Sequence, residues 1–359
     1  MEGQDSTIVT GVDIGDRYCH ICVLDGDAEV IEETRVKTKP EAIERYFSGK
    51  ERMRVALEVG THSPWISSLI ADQGHEVLVA NARKLRMIYE NDQKDDRTDA
   101  EMLARVARMD PKLLSPIQHR GEEARASLAV IRSRDILVQG RTKLVNHVRG
   151  SVKAFGARMP SCSTGSFGKH VGEIPENLAA ALTPVMNTIQ ELTGRIREYD
   201  RRIEQAAKEE IPETAALRQV GGVGALTSLA FVLILENPGR FKNGRVVGSY
   251  VGLCPRRDQS GDANPQLRIA KTGNPYLRRL LVGSAHYILG PFGPDSDLRR
   301  WGLKLAERGG KNAKKRAAVA VARKLSVLLF RLWQTGEVYE PLRRSGDDDQ
   351  RLDAASVGA

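Results

Sequence analysis

Aromatic residues make up only 5% of the 359 positions, cysteine occurs four times, and no apolar run is long enough to span a bilayer. The missing spans exclude a membrane-embedded helical protein; with no signal peptide ahead of the first apolar run, the expected location is cytoplasmic. The cysteines exclude a disulfide-stapled fold, because Cys19 and Cys22 form a lone Cys-x-x-Cys and Cys162 and Cys254 lie far away. A zinc site needs a second close pair of ligands, and residues three apart in a strand face opposite ways, so all four read as reduced structural thiols. Acids are scarce in the C-terminal third, where Arg268, Lys271, Arg278, Arg279, Arg299 and Arg300 are followed by Lys304, Arg308, Lys311, Lys314, Lys315, Arg316, Arg323 and Lys324. With 55 Lys and Arg against 46 Asp and Glu, the formal net charge is +9. A solvated helix face can carry a basic run, but this one is long and unbalanced, which points to a polyanionic partner, most simply nucleic acid.

Four acids in the first hundred residues stand out against this background: Asp13, Glu58, Asp96 and Asp99. Ile8 to Ile14 is an apolar run closed by Gly15, and Arg54 to Val59 is another closed by Gly60, so each reads as a buried strand with a carboxylate near its end. A buried carboxylate without a partner is costly, so such positions are expected to hold a cation. Asp96 and Asp99 open a helical stretch and share a face with Leu103 and Val106, which turns them toward the interior. Alone, either would be an N-cap or first-turn acid. Together the four suit Mg²⁺ or Mn²⁺, hard ions that prefer oxygen.

The order of elements narrows the choice of fold. Two further strand-like runs, Tyr18 to Leu24 and Glu29 to Val36, precede a helical stretch from Lys39 to Phe47 and then the Glu58 strand. Three strands, a helix and a fourth strand bearing an acid describe an RNase H-like, RuvC-type core. An actin-like sugar kinase would also carry an acid in an Asp-x-Gly turn, but it needs a second such phosphate turn, and the sequence has none.

Downstream, Glu122 to Phe155 is rich in helix formers, and after a Ser/Gly-rich loop Leu182, Met186, Ile189, Leu192, Ile196, Tyr199 and Ile203 recur at steps of three and four. That spacing makes a short coiled-coil seam, which could close an internal helical hairpin, join two chains, or both. Beyond Pro212, Gly221-Gly-Val-Gly224 leads into the apolar run Leu226 to Leu235; such a turn, with Gly222 and Gly224, can offer backbone N–H groups to a phosphate as helix-hairpin-helix modules do. Then come Gly252-Leu-Cys-Pro-Arg256, Ser260-Gly261 and Lys271-Thr-Gly-Asn274.

Taken in order with Asp13, Glu58 and Lys94-Asp-Asp-Arg-Thr-Asp-Ala100, these motifs resemble the transposases of the insertion-sequence-110 family, which includes Piv-type DNA invertases. The match runs from about Ile8 to Trp333. The resemblance implies a RuvC-like metal-dependent domain over residues 1–119 with Asp13, Glu58, Asp96 and Asp99 as catalytic metal ligands. It further implies a helical, coiled-coil linker over 120–210, a mainly helical transposase domain over 211–340, and a disordered tail over 341–359. In the family a nucleophilic serine lies in a Ser-Ser-Gly-Gly-like segment after Gly-Leu-x-Pro-Arg. Here that segment reads Gln259-Ser260-Gly261-Asp262, so Ser260 is the matching position; without the family it would be a turn serine. Arg256, Arg257, Arg268 and Lys271 would neutralise phosphate oxygens. The implied partners are donor and target double-stranded DNA, a structured guide RNA (a bridge RNA), and further copies of the chain in a dimer or tetramer in which the serine of one copy completes the metal site of its neighbour. A site-specific invertase would share this chemistry. A structure-specific nuclease would use the acids to activate water and dispense with Ser260, and a non-catalytic nucleic-acid binder would not retain all four acids.

Overall fold

The computed structural model describes residues 8–81, 95–256 and 267–343. The chain divides into two units, Met1–Gly121 and Glu122–Ala359.

The first unit is built on a five-stranded sheet of order β3-β2-β1-β4-β5, formed by β1 (Val9–Ile14), β2 (Tyr18–Leu24), β3 (Val30–Lys37), β4 (Arg54–Glu58) and β5 (Glu76–Ala80). β1 to β3 form an antiparallel meander, while β4 and β5 extend the sheet in parallel on the other side of β1. The four strands and the first helix expected from the sequence appear within a residue or two of their expected ends. The helix, α1 (Pro40–Phe47), starts on a proline that needs no N–H partner. A second helix, α2 (Ser63–Asp72), and the edge strand β5 complete the crossover.

Alternation along the strands sorts side chains onto two covered faces. Val12, Cys19, Ile21 and Leu57 pack with Ile43 and Phe47 of α1 and Ile66 and Ile70 of α2. Val9, Cys22, Leu24 and Ala56 pack on the other face with Ala100, Leu103 and Ala104 of α3 (Asp96–Met109). Cys19 and Cys22 thus point to opposite faces, free and buried. Burial pushes both thiols up, that of Cys22 to about 11 with help from Glu101 and Glu33, so they stay protonated and serve as apolar filling.

The second unit is helical. α4 (Glu122–Ala154) and α5 (Glu176–Gln205) pair as an antiparallel hairpin, Val145, Val148 and Val152 facing Leu182, Met186 and Ile189 over Phe167. An Arg134–Asp200 ion pair at 2.9 Å ties the helices farther along. The seam residues Leu182, Met186, Ile189, Ile196 and Ile203 are buried within this chain, the first three of them against α4. Leu192 and Tyr199 are only half-buried; Thr193 takes an inward position, its hydroxyl satisfied by Ile189 O and by the Arg141 guanidinium.

After α6 (Thr214–Arg218), α7 (Ala225–Leu235) is apolar all round and buried at every position except Leu226. It lies in a core shared with Leu277, Leu281 and Ile288 of α9 (Pro275–Leu289) and Leu325, Leu329 and Phe330 of α11 (Ala313–Thr335). Two shorter helices, α8 (Gly244–Tyr250) and α10 (Asp297–Glu307), pack outside it. Among the described residues, no helix is long and apolar enough to cross a membrane.

Candidate active site

Parallel pairing of β1 with β4 sets Val12 beside Leu57, so Asp13 and Glu58 follow next on neighbouring strands and share one face of the sheet. That face is the one α3 covers. Gly11, two residues before Asp13, meets the helix so closely that a Cβ would fall 1.9 Å from the Ala100 carbonyl oxygen. The helix runs against the direction of β1: Arg108 in its last turn donates to Asp25 O and Gly26 O beyond the far end of β2. Its first turn, with Asp96 and Asp99, therefore lies over the strand ends that carry Asp13 and Glu58.

The residue bonding the start of α3 is Asp95, which accepts from the Arg97 N–H at 3.3 Å; Asp96 and Asp99 occupy the first turn, where negative charge complements the helix dipole. Their orientation differs from the inward one expected of both. Asp99 is half-buried, whereas the Asp96 side chain is 63% exposed. Asp96 engages His20, with Nε2 3.7 Å from Oδ2, and His20 is the cross-strand partner of Asp13. His20 is thus a member of the site that sequence reasoning missed: its place follows from strand register, which spacing along the chain does not reveal. Arg97, paired with Glu33 of β3, is a second.

Four carboxylates on backbone positions gathered at one end of a sheet match, in donor chemistry, a hard divalent cation. As the side chains stand, no three His, Cys, Asp or Glu among the described residues form a group that could hold a metal ion. Asp96 is turned to His20.

The position of α3 is a testable device. Gly11→Ala drives a methyl group into the Ala100 carbonyl, and overpacking costs about 1–3 kcal/mol. The expected outcome is a lower melting temperature, since the change pushes on the helix that carries Asp96 and Asp99; melting curves of the variant and the wild type check it.

In the second unit, the Gly-rich turn is held by α9. Gly222 has φ +90°, and a Cβ there would come 2.8 Å from Tyr287 Cδ1, while Gly224 is the N-cap of α7 with open space about it. Farther on, two arms pair side by side: the Arg256 N–H donates to Arg268 O, that of Ala270 to Cys254 O, and that of Lys271 to Gly252 O. Gly252 (φ +70°) and Gly273 (φ +77°) let the arms interlock, since Cβ atoms there would lie 2.0 Å from Thr272 O and 1.7 Å from Tyr250 O. Asn274 then caps α9 by accepting from the N–H groups of Tyr276 and Leu277. Arg256, Arg268 and Lys271 are exposed together on these arms. Lys94, Arg257 and Ser260 lie outside the described residues.

Comparison with known proteins matches both units. A family model described as a transposase, of the DEDD group of IS110, matches residues 10–156, and another, described as transposase of the IS116/IS110/IS902 family, matches residues 214–295. The transposase for insertion sequence element IS1111A of Coxiella burnetii is 28% identical over 344 residues, covering 92% of this chain and 91% of its own. A probable family 20 transposase of Pseudomonas aeruginosa is 25% identical over 340 residues, covering 92% and 98%. The transposase for element IS1328 of Yersinia enterocolitica is 28% identical over 237 residues, covering 64% and 69%.

Proposed function

Because the chain belongs to the IS110 family of insertion-sequence transposases, enzymes of DNA cleavage and strand transfer, we propose that it exchanges DNA strands through a covalent serine–DNA intermediate, using a divalent metal ion held by Asp13, Glu58, Asp96 and Asp99. The observation that carries this reading is the side-by-side placement of Asp13 and Glu58 on adjacent parallel strands beneath the acidic first turn of α3. The sheet order, a three-stranded antiparallel meander extended by two parallel strands, supports an RNase H-like, RuvC-type core.

The chemistry supplied at those carboxylates by bound Mg²⁺ or Mn²⁺ is polarisation of a phosphate and stabilisation of charge on its oxygens. Ser260 Oγ bonds to phosphorus as one DNA oxygen leaves and takes up a proton, which converts a phosphodiester into a phosphoserine ester. Attack by the hydroxyl of another strand reverses the step, freeing Ser260 and rejoining DNA without ATP. A serine hydroxyl is a weak nucleophile, so the cations around it matter. Arg256, Arg257, Arg268 and Lys271 neutralise phosphate oxygens as charge builds. Backbone N–H groups of the turn containing Gly222 and Gly224 offer a further phosphate contact. In this reading a structured guide RNA pairs with donor and target DNA, the chain works as a homo-oligomer in the cytoplasm, and the net charge of +9 suits both polyanions.

The test is reconstitution. The purified full chain, RNA transcribed from the segment flanking its gene, and donor and target duplexes are incubated with Mg²⁺. The expected products are recombinant junctions and a denaturant-resistant protein–DNA adduct, both absent in EDTA. Hydrolysed ends without adduct would replace this mechanism by water-activated nuclease chemistry.

A further inference from the structure

A cavity of about 1130 Å³ in the second unit is a groove between α10 and α11 that reaches α8 and the arm at Cys254. Six cations line it: Arg245, Arg300, Lys304, Arg323, Lys324 and Arg331, all exposed. Only Asp297 and Glu340 oppose them in the lining. Arg300 and Arg331 hold Asp295 and Glu337 in surface ion pairs. Trp301 forms an apolar wall, and the Lys324 ammonium lies 3.8 Å from its ring centroid. Arg323 lies along α8, where a Cβ on Gly248 would meet its Cγ at 3.1 Å and Cys254 Sγ at 3.7 Å. The cations therefore lead from α10 and α11 to the paired arms that flank residues 257–266.

We propose that this groove is a track for one strand of DNA, gripped through its phosphates without regard to sequence. The inference deepens the functional reading and rests on it: a strand laid along the groove runs toward the arms bearing Arg256, Arg268 and Lys271. Several features select a single strand. The cations converge on a recess with an aromatic wall, the combination by which proteins hold unpaired strands, and its lining offers guanidinium and ammonium groups to phosphate with few groups to read base edges. An anionic small molecule would need far fewer than six cations.

The test uses the full chain and a fluorescent single-stranded DNA of mixed sequence, titrated by anisotropy across a salt series. Each phosphate contact on a single strand contributes about 0.7 to the slope of log K against log salt. The combined variant Lys304→Gln/Arg323→Gln/Lys324→Gln is expected to flatten that slope by about two and weaken binding at least tenfold at low salt. Replacing Lys304 and Lys324 by Arg restores both. Removing equal charge elsewhere, at exposed lysines outside the basic run, with Lys112→Gln/Lys169→Gln/Lys208→Gln, leaves the slope near that of the wild type. An unchanged slope in the groove variant, or an equal loss in the control, overturns the proposal; so does a loss confined to RNA or to duplex DNA. Cleavage by wild type and Asp13→Asn is measured in parallel. Wild-type binding by the groove variant, alongside metal-dependent cleavage that Asp13→Asn abolishes, rejects the groove and leaves the functional reading standing.

Discussion

Asp13→Asn and Glu58→Gln are each expected to abolish DNA cleavage while leaving the chain folded. Both residues end adjacent parallel strands under α3, so either change strips a charged ligand from the proposed metal site at unaltered volume. Stabilisation of charge by a bound metal is worth several kcal/mol, so the expected loss of rate is about 10³-fold or more. Stability is expected to be spared: each substitution keeps the side chain's volume and removes one of the negative charges at this end of the sheet, and the melting temperature without metal should hold. Adding Mg²⁺ should raise the melting temperature of the wild type, because a ligand that binds only the folded state stabilises it, and should do less for Asp13→Asn. Cleavage assays and melting curves with Mg²⁺ and with EDTA make the measurement. Wild-type cleavage persisting in EDTA would remove the metal from the mechanism.

Ser260→Ala is expected to eliminate recombination and the protein–DNA adduct together while DNA and RNA binding persist. The change deletes a single hydroxyl and no charge, so the salt-dependent phosphate contacts remain. Denaturing gels with labelled DNA report the adduct, and anisotropy reports binding. An adduct surviving in Ser260→Ala would move the nucleophile elsewhere. The structure ranks the next candidates: Ser249 is exposed, its hydroxyl donating to Cys254 Sγ at 3.3 Å, whereas Ser284 is buried in α9.

Much of the first unit was legible because its strands are short apolar runs punctuated by Gly15, Asp25-Gly26 and Gly60. β5 has only five residues after a helix that opens Ser63-Pro-Trp, and a run that short does not declare its type. The acids were legible as types and positions; the company they keep was not. His20 joins Asp13 by register and Asp96 by the packing of α3 on the sheet, relations that exist only once the sheet has formed. The seam on α5 was readable to within one position. Leu192 fits the apolar repeat, but Thr193 goes inward, because its hydroxyl bonds back to Ile189 O and receives Arg141. The covering of that seam by α4 was one of the arrangements left open by spacing, and tertiary packing decides it.

The core of the second unit draws on residues from Leu128 to Leu332, nearly its whole described length, whereas the strands and helices of the first close on one another before Gly121. On the ribosome these two facts become an order in time. The acid-bearing unit can bury its core as soon as it emerges, but α4 and α7 must wait for α11, on the order of ten seconds or more at ordinary elongation rates. During that interval the nascent chain holds the carboxylates without a completed second unit. A message cut short between Gly121 and α11 yields a folded first unit attached to helices that lack their core, a product open to proteolysis.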